Sequence, residues 1–337
     1  MLAEVAHTMP RSEVPEAPAH HPVLLRETLR LLAPAAGAFG VDCTLGLGGH
    51  AESLLRAVGP TGKLLGLDRD LESLRLAKIR LGGFGESLEP VHADFRSLPR
   101  ILSERGSRSV DFLLADFGFS SFQMDTPERG FSFSWDGPLD MRMDRSSGET
   151  AADLLAKLPE ADLARLLWDY GEETAARRIA RAVAREREKR AIRTTLHLAR
   201  LVEEQAGKRG PRRIHPATRT FQALRIAVNR ELEDLDRFVE DACRSLIRDG
   251  RAVFISFHSL EDRIVKRTLL ALTPHCICPP ELPRCGCGKP GFVERITRKA
   301  MRPGEAEVLA NPRSRSARLR AVRRLEGAGL AGPEEGP

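Results

Sequence analysis

Residues 38–58, AFGVDCTLGLGGHAESLLRAV, decide the fold class of this chain. The first eight residues form a largely apolar run with the length of a buried strand. Three glycines follow within the next four positions, and HAESLLRAV then carries apolar residues at helical spacing. A strand, a glycine-rich turn and a helix in this order predict the first half of a parallel strand–helix–strand unit.

The same alternation continues along the chain. A second strand is predicted at GKLLGLD (62–68) and a second helix at LESLRLAKIRL (71–81). Further strands are predicted at 88–95 and 110–117, and a last one, RAVFISF, at 251–257. Strands that alternate with helices pair in parallel and are covered by helices on both faces. The pattern therefore predicts an α/β fold built on a parallel sheet.

The alternation stops near residue 127, and this interruption sets the predicted domains. Residues 128–213 are mostly helical in period, and a long helical pattern runs from 216 to 249. We expect one α/β domain made of residues 20–127 and 214–324. Residues 128–213 form a mostly helical insertion between its two parts, and we expect this insertion to recognise the substrate.

Composition and charge limit the class of protein. The chain has 337 residues, of which 42% are hydrophobic, and a net charge of +6. No apolar run approaches the ~18 residues that span a bilayer, so we expect no membrane partner. Residues 1–19 lack the hydrophobic segment of a signal peptide and are predicted to be a disordered tail, like the flexible tail at 325–337. We expect a cytoplasmic protein.

The first two strand ends indicate an adenosine-containing ligand. Glycines after the first strand let the backbone approach a ligand closely, and Asp68, twenty residues after Gly48, lies where a carboxylate accepts ribose hydroxyls. NAD and adenosylmethionine both fit this description. The spacing G-x-G-G-H differs from the G-x-G-x-x-G that admits a pyrophosphate, and Asp42 at the mouth favours a cation. Adenosylmethionine is therefore the predicted cofactor.

The fourth predicted strand ends on Asp116, beside the predicted ligand. A carboxylate here can accept the hydrogens of an amino group and favour its attack on a methyl donor. Of the 17 aromatic residues in the chain, six fall between Phe117 and Trp135. Flat apolar side chains are what a flipped-out base stacks on, although some of these rings will serve only as core.

Five longer motifs are more specific than the strand and helix pattern. They are DFGFSSFQMD (116–125), GFSFSWDGPLDMRMD (130–144), HPATRTFQALRIAVNRELEDL (215–235), ISFHSLEDRIVK (255–266) and NPRSRSARLR (311–320). Together they resemble the RsmH (MraW) family of ribosomal RNA small-subunit methyltransferases. Where the family usually reads DLGVSSPQLD, this chain has DFGFSSFQMD, so the polar positions are kept. The resemblance begins at HHPVLL (20–25) and reaches about residue 324, which leaves out only the two tails.

The resemblance implies a class I, Rossmann-like, adenosylmethionine-dependent methyltransferase with a helical insertion. It implies N4-methylation of one cytidine, at conventional position 1402, in the decoding region of 16S rRNA in the small ribosomal subunit. Carried over by motif, the residues that contact the cofactor are Gly48, Gly49, His50, Asp68, Phe95, Asp116 and Gln123.

The groups around the target amino nitrogen are predicted less directly. We take Asp116 and Asp140 as the candidate catalytic residues, with Ser120 and His258 behind them. Two other interpretations stay open. Asp140 and Arg142 can form a structural ion pair, and His258 can be a hydrogen-bonded histidine at a strand end.

The positive charge is clustered, which predicts contact with RNA. Residues 177–193 hold eight Arg or Lys against two Glu, and residues 311–324 hold six arginines and no acid. Such clusters neutralise phosphates, although a solvated basic helix face has the same composition. We predict that Arg212, Arg213 and Arg219 bind the rRNA, and we expect no DNA partner.

Four of the six cysteines lie close together in the chain, at Cys276, Cys278, Cys285 and Cys287. Four thiolates around a tight loop can bind a structural zinc ion. Reduced or oxidisable surface cysteines fit the spacing equally well. Methyl transfer itself needs no metal.

Two functions compete with the predicted one. The first is a class I methyltransferase that acts on another nucleic-acid amino group. The second is a ribosome assembly factor that keeps the fold and the cofactor but catalyses nothing. The glycine loop together with Asp68 and Asp116 favours an active enzyme.

Overall fold

A seven-stranded mixed sheet forms the centre of the computed structural model, which describes residues 22–107, 109–206, 215–276, 278 and 291–326. Its strand order is β3-β2-β1-β4-β5-β7-β6, with the first five strands parallel and β7 antiparallel to both neighbours. The strands are β1 (Phe39–Asp42), β2 (Lys63–Asp68), β3 (Leu88–His92), β4 (Val110–Asp116), β5 (Leu246–Ser256), β6 (Val293–Arg295) and β7 (Arg318–Arg324). The predicted class I methyltransferase fold is confirmed.

Thirteen α-helices accompany the sheet in the part of the chain that the structure describes. Those before the insertion are α1 (Leu25–Leu32), α2 (Gly49–Val58), α3 (Leu71–Arg80), α4 (Leu98–Glu104) and α5 (Ser121–Asp125). The next group is α6 (Ala151–Lys157), α7 (Glu160–Gly171), α8 (Ala176–Lys189), α9 (Thr195–Ala206) and α10 (Thr218–Asn229). The last are α11 (Leu235–Arg244), α12 (Ser259–Ala271) and α13 (Glu305–Ala310).

The sheet separates two hydrophobic cores. Along β4, Phe112 and Leu114 lie in one core, whereas Leu113 and Ala115 lie in the other. Successive side chains of a strand point to opposite faces, so a continuous apolar run fills both cores. This is why the central strands read as unbroken apolar segments.

Parallel pairing brings the acidic ends of three strands to one edge. Asp42 ends β1, Asp68 ends β2 and Asp116 ends β4. Asp42 pairs with Gly66 of β2 and with Leu114 of β4. Asp68 and Asp116 each lie two residues beyond these partners, so the three strands end at nearly the same level of the sheet. The carboxyl edge of the sheet therefore gathers three aspartates that are far apart in sequence.

A third hydrophobic core lies among the helices α6 to α9. Leu163, Leu167, Ile179 and Val183 are among its buried side chains. Helix α10 adds Phe221, Leu224 and others to the same core, although it follows the predicted insertion in sequence. The division at residue 213 stays a prediction.

The long helix predicted from 216 to 249 is wrong. Helix α10 ends at Asn229 and α11 begins at Leu235, and β5 already starts at Leu246. Arg230 (φ 49°) and Asp234 (φ 51°) both adopt left-handed backbone conformations, which a continuous α-helix does not allow. Strands β6 and β7 were not predicted from the sequence. Among the described residues, no helix has the length and apolar character needed to cross a lipid bilayer.

Candidate active site

A cavity of about 380 Å³ opens at the carboxyl edge of the sheet. It is lined by the ends of β1, β2 and β4, by residues of α10 and the segment after it, and by the start of α12, which follows β5. The predicted site residues that line it are Gly49, His50, Asp68, Phe95, Asp116, Ser120, Gln123 and His258. Open α/β sheets bind their ligands at this edge.

Asp68 is held in place by backbone amides of two loops. The amide of Gly46 donates to Asp68 Oδ2 (2.7 Å), and the amide of Asp70 donates to Asp68 Oδ1 (2.8 Å). Burial raises the pKa of Asp68 to about 6, so it is an acceptor-only carboxylate above that pH. Each oxygen keeps a further lone pair for a ligand hydroxyl.

The glycine turn is shaped by close packing. Gly48 has φ 81° and is the residue before α2, and a Cβ atom there would lie 2.6 Å from Leu81 Cδ1. Gly48 shapes the turn and does not itself line the cavity, whereas Gly49 does. The two glycines therefore act differently, although sequence analysis assigned both to cofactor contact.

We expect Gly48→Ala to lower the free energy of unfolding by about 2–4 kcal/mol, since it adds a left-handed penalty and an overpacked contact with Leu81. Gly106→Ala is the matched control, because Gly106 follows α4, has φ 67° and has open space around its Cβ position. We expect the free energy of unfolding of the control to fall by only about 1–2 kcal/mol. Urea denaturation of both variants measures the difference, and equal losses would show that the contact with Leu81 costs nothing.

Asp42, His50 and Asp116 form a buried polar cluster at the tips of β1 and β4. Asp42 Oδ2, both ring nitrogens of His50 and Asp116 Oδ1 are buried without a hydrogen-bond partner among the described residues. Burial raises the pKa of Asp42 to about 7, and His50 Nε2 lies 3.5 Å from Asp116 Oδ2. Unpaired buried polar atoms are costly, so this cluster fits a site that a polar ligand completes.

Thr44 connects the two strand ends. The backbone amide of Asp116 donates to Thr44 Oγ1 (2.7 Å), and the amide of Thr44 donates to Asp42 Oδ1 (3.1 Å). The first loop therefore fixes the position of Asp116 across the sheet. Thr44 was not predicted as a site residue, because a threonine in a turn gives no sign in the sequence of such a contact.

Gln123 is buried and mainly orders the loop after β4. Its Oε1 accepts from the amide of Ser120, and Ser120 Oγ accepts from the amide of Gln123, which completes a capping box at the start of α5. Gln123 Nε2 donates to Asp70 Oδ2 (2.6 Å), which also binds the fully buried Arg129. Gln123 and Ser120 therefore reach the cavity with most of their hydrogen bonds already made.

Phe95 forms an apolar wall of the cavity. Its ring packs 4.4 Å from that of Phe238 and 5.6 Å from that of Phe117, measured between centroids. Asp94, the residue before it, caps a short 3-10 helix by accepting from the amide of Arg96 (2.9 Å). The position of Phe95 beside a flat ligand ring stays a prediction.

The lining also includes a buried ionic cluster, most of which was not predicted from the sequence. Arg225 donates from Nε and Nη2 to the two oxygens of Glu231, both at 2.8 Å. His258 Nε2 lies 3.0 Å from Glu261 Oε1 and 3.8 Å from Glu231 Oε2. All four side chains line the cavity. The spacing His-x-x-Glu, which forms a capping box at α12, was the one signal available in the sequence.

Asp140 is not among the residues that line the cavity. Its two oxygens accept from Arg142 Nε (2.8 Å) and Nη2 (3.0 Å), and Oδ1 also accepts from the amide of Arg142 (3.1 Å). Of the two interpretations left open for Asp140, this geometry is that of the structural ion pair. We therefore give it no part in the chemistry below.

The predicted RNA contacts fall in three places. Arg212 and Arg213 lie outside the described residues, and Arg219 on α10 donates from Nη1 to the carbonyl of Glu172 (3.0 Å). Helix α8 exposes Arg177, Arg181 and other basic side chains opposite its buried face.

The arginines of the C-terminal segment make contacts within the protein, and their binding to RNA stays a prediction. Arg318 and Arg320 pair with Asp262, and Arg313 pairs with Asp125. Arg323 pairs with Glu294, and Arg324 donates to backbone carbonyls. Five of the six arginines in 311–324 thus hold the fold together.

Two of the four clustered cysteines, Cys276 and Cys278, belong to the described residues, and Cys285 and Cys287 lie outside them. The zinc site therefore stays a prediction. Cys43 and Cys243 are buried in the core, as expected.

Comparison with known proteins identifies a family. The sequence model of the MraW methylase family matches residues 17–325. Two similar curated proteins are both called ribosomal RNA small subunit methyltransferase H. The one from Geotalea uraniireducens is 51% identical and that from a Geobacter species 48% identical, each covering 91% of this chain and 98% of the relative. The crystal structure of TrmN from Thermus thermophilus is 15% identical with a TM-score of 0.40, covering 90% of this chain but only 48% of TrmN.

Proposed function

The chain belongs to the MraW methylase family, and from this we propose that it methylates N4 of a cytidine in the decoding region of 16S rRNA, at conventional position 1402, using adenosylmethionine. The relatives' shared name supports the small-subunit rRNA as substrate. The choice of cytosine N4 rests on the family resemblance and on the chemistry of the cavity.

One observation supports the proposal most strongly. Asp42, His50 and Asp116 place unpaired buried polar atoms in a cavity that also holds Asp68 and Phe95. The carboxylates and the apolar wall fit a ligand that combines a cation, a ribose and an aromatic base.

The residues present fit adenosylmethionine. Asp68 would accept hydrogen bonds from the ribose, Phe95 would flank the adenine, and His50 and Asp42 would face the charged methionine end. Gly49 lines the cavity, and a Cβ atom there would lie only 2.7 Å from Pro22 Cγ. When bound, adenosylmethionine supplies a methyl group on a positively charged sulfur.

Asp116 is the group that we assign to the target amino nitrogen. Its side chain lines the cavity and is partly exposed, so the carboxylate can accept an N–H of the amino group. An amino group on a base ring is a weak nucleophile because its lone pair is delocalised. On attack the nitrogen gains the methyl group and loses one proton, which the Asp116 carboxylate can accept. The buried setting of the cavity strengthens this interaction.

The rRNA would approach from the side of the basic residues. We assign phosphate contacts to Arg212, Arg213 and Arg219, supported by the exposed basic face of α8. The inserted helices, residues 128–213, would then act with α10 as the substrate-recognition part.

We expect Arg212→Ala combined with Arg213→Ala to weaken binding to undermethylated small subunits and to reduce the slope of log Kd against log salt by about one to two, since each phosphate contact contributes about 0.7–0.9 to that slope. Filter binding at several salt concentrations measures both. Arg244→Ala with Arg248→Ala is the matched control, because these arginines lie at the opposite, amino end of the sheet. An unchanged slope in the first variant would remove these arginines from the interface.

Incubation with labelled adenosylmethionine and undermethylated small subunits tests the proposed function. We expect label on one cytidine, recovered as N4-methylcytidine by mass spectrometry of the digested rRNA. Label on another nucleotide would mean another target. Binding of subunits without label would favour the assembly factor.

A further inference from the structure

The chain before β7 reaches the cavity beside the parallel strands. Asn311, Arg313 and Ser316 are among the residues that line the cavity. Strand β7 runs antiparallel to β5, and its first residue, Arg318, pairs with Ser256 at the carboxyl end of β5. The start of β7 and the residues before it therefore lie at the same edge of the sheet as the proposed active site.

A second stretch of chain borders the start of β7. The amide of Met301 donates to the carbonyl of Leu319, and the amide of Leu319 donates to the carbonyl of Met301, both at 2.9 Å. Two residues that exchange both bonds lie about 5.5 Å apart between their Cα atoms. Arg302 follows Met301 in the antiparallel direction, so it lies beside the first residue of β7.

Three basic side chains follow one another outward from the cavity. Arg315 lies in sequence between two residues that line the cavity. Arg302 lies beside the first residue of β7, and Lys299 lies farther along the strand, because the amide of Thr297 donates to the carbonyl of Ala321 (3.2 Å). We call Arg315, Arg302 and Lys299 the C-terminal strip.

The charges of the C-terminal strip are unpaired. All three side chains are exposed, and none makes an ion pair or a side-chain hydrogen bond to a described residue. Residues 295–318 contain seven Arg or Lys but only two Glu. Of these two, Glu307 accepts from the backbone amide of Leu24 (2.7 Å), so Glu305 alone is left to offset the three positive charges of the strip.

Neighbouring arginines differ from the strip because they bind acids of the fold. Arg313 pairs with Asp125 of α5, and Arg318 pairs with Asp262 of α12. These pairs hold the segment before β7 against two helices. The strip residues make no such contact with a described residue, so their charges are available to a partner.

A nucleotide bound at this site brings negative charge to the mouth of the cavity. When an enzyme extrudes a base into a pocket, the phosphates of that nucleotide stay joined to the rest of the strand. Arg and Lys side chains contact such phosphates and set the register of the strand without reading its sequence. Residues 298–318 include no aromatic side chain on which a base could stack. The strip therefore fits the backbone of a strand and not its bases.

We infer that the C-terminal strip binds phosphates of the rRNA strand that leads away from the target cytidine, with Arg315 nearest to the target and Lys299 farthest from it. This inference rests on the proposed function and adds a second phosphate contact to it. The contacts assigned to Arg212, Arg213 and Arg219 come from the segment before α10 and from α10 itself. Two separate parts of the chain thus hold the rRNA at once.

Removal of the strip charges tests the inference. The triple variant Lys299→Ala, Arg302→Ala and Arg315→Ala is titrated with undermethylated small subunits by filter binding at several salt concentrations. We expect the slope of log Kd against log salt to fall by about 2–3, since each phosphate contact contributes about 0.7–0.9. The affinity at about 0.1 M salt should fall roughly 10- to 100-fold. The affinity for adenosylhomocysteine should not change, because no strip residue lines the cavity.

A second triple variant controls for the overall loss of charge. Arg30, Lys78 and Arg267 are exposed and make no ion pair with a described residue. They lie in the second halves of α1, α3 and α12, which run toward the amino edge of the sheet and away from the cavity. Changing all three to alanine should leave the slope unchanged. An equal fall in both triple variants would mean that net charge alone acts, and it would overturn the inference.

Charge-preserving substitutions separate a phosphate contact from a structural role. Arg302→Lys combined with Arg315→Lys keeps both charges, so this variant should keep the wild-type slope. A slope as low as that of the alanine variant would overturn the inference. Should the triple alanine variant fail to fold, the three single alanine variants replace it, and each should lower the slope by about 0.7–0.9.

Photocrosslinking tests the direction of the strand. The photoreactive residue p-benzoylphenylalanine replaces Arg315 in one protein and Lys299 in another, and the crosslinked nucleotides are mapped by primer extension. Both proteins should crosslink on the same side of the target cytidine, and the crosslink from position 315 should lie nearer to it. Crosslinks on opposite sides, to a ribosomal protein only, or to no nucleotide would overturn the inference.

Methylation of the same small subunits by the wild type separates this inference from the proposed function. If the wild type leaves the rRNA unmethylated, the proposed function is wrong. If it methylates one cytidine and the triple alanine variant keeps the wild-type slope, the proposed function stands and the inference is overturned.

Discussion

Asp116→Asn should abolish most of the methyl transfer, lowering the single-turnover rate about 10²- to 10⁴-fold. The side chain keeps its shape, but its amide can accept through only one atom and presents an N–H₂ group to an amino group that needs an acceptor. We expect the affinity for adenosylhomocysteine to change much less than the rate, by less than about tenfold, because Asp42, His50 and Asp68 remain in place. Rapid-quench assays and calorimetry measure the two quantities separately.

Asp111→Asn is the control for this variant. Asp111 lies five residues earlier on the same strand, at the amino end of the sheet, where its Oδ2 accepts from the amide of Phe39 (2.8 Å). We expect it to lower stability and to leave the rate per folded molecule unchanged. A wild-type rate in Asp116→Asn would mean that another group orients the amino nitrogen.

Asp68→Ala should weaken adenosylmethionine binding about 100-fold. The substitution removes the acceptor proposed for the ribose hydroxyls, and it leaves the amides of Gly46 and Asp70 without their partners, which loosens the glycine turn. Each lost hydrogen bond to a charged acceptor costs about 1.5–3 kcal/mol, and two ribose bonds account for the expected effect. Isothermal titration calorimetry measures the dissociation constant directly.

Asp111→Ala controls for the loss of a carboxylate that holds backbone amides. Like Asp68, Asp111 accepts from a main-chain N–H, but it lies at the far edge of the sheet from the cavity. The affinity of the Asp111→Ala variant for adenosylmethionine should equal that of the wild type. If Asp68→Ala folds and binds as tightly as the wild type, the ribose is held elsewhere and the orientation of the cofactor proposed here is wrong.

The parallel part of the sheet and the strand ends that line the cavity were predictable from the sequence. Strands β1, β2 and β4 are largely apolar, and they end on the aspartates that share one edge. Parallel pairing alone forces such ends together, so no knowledge of side-chain contacts was needed. This is why Asp68 and Asp116, which were predicted as site residues, both line the cavity.

The ionic cluster of Arg225, Glu231, His258 and Glu261 was not predictable in the same way. Arg225 and Glu231 read as parts of one long helix, and their meeting depends on the left-handed residue Arg230 between them. A single left-handed turn at an arginine leaves no periodic signal. Their approach to His258 is a tertiary contact between elements that are distant in the sequence.

The basic C-terminal segment shows the limit of charge counting. Its arginines are dense enough to suggest an RNA contact, but β7 lies inside the sheet and its arginines meet acids on neighbouring elements. Those acids, Asp262 and Glu294, are separated from the arginines by at least 29 residues, so local composition could not reveal the pairing.

Titration of the folded wild-type protein with adenosylmethionine and, separately, with adenosylhomocysteine tests the central claim, which is that the cavity at the strand tips holds the methyl donor. We predict one molecule bound per chain for each compound. The heat of binding measured in the titration should be smaller for Asp68→Ala than for the wild type. Full-length protein that is folded by circular dichroism yet takes up neither compound would contradict the account.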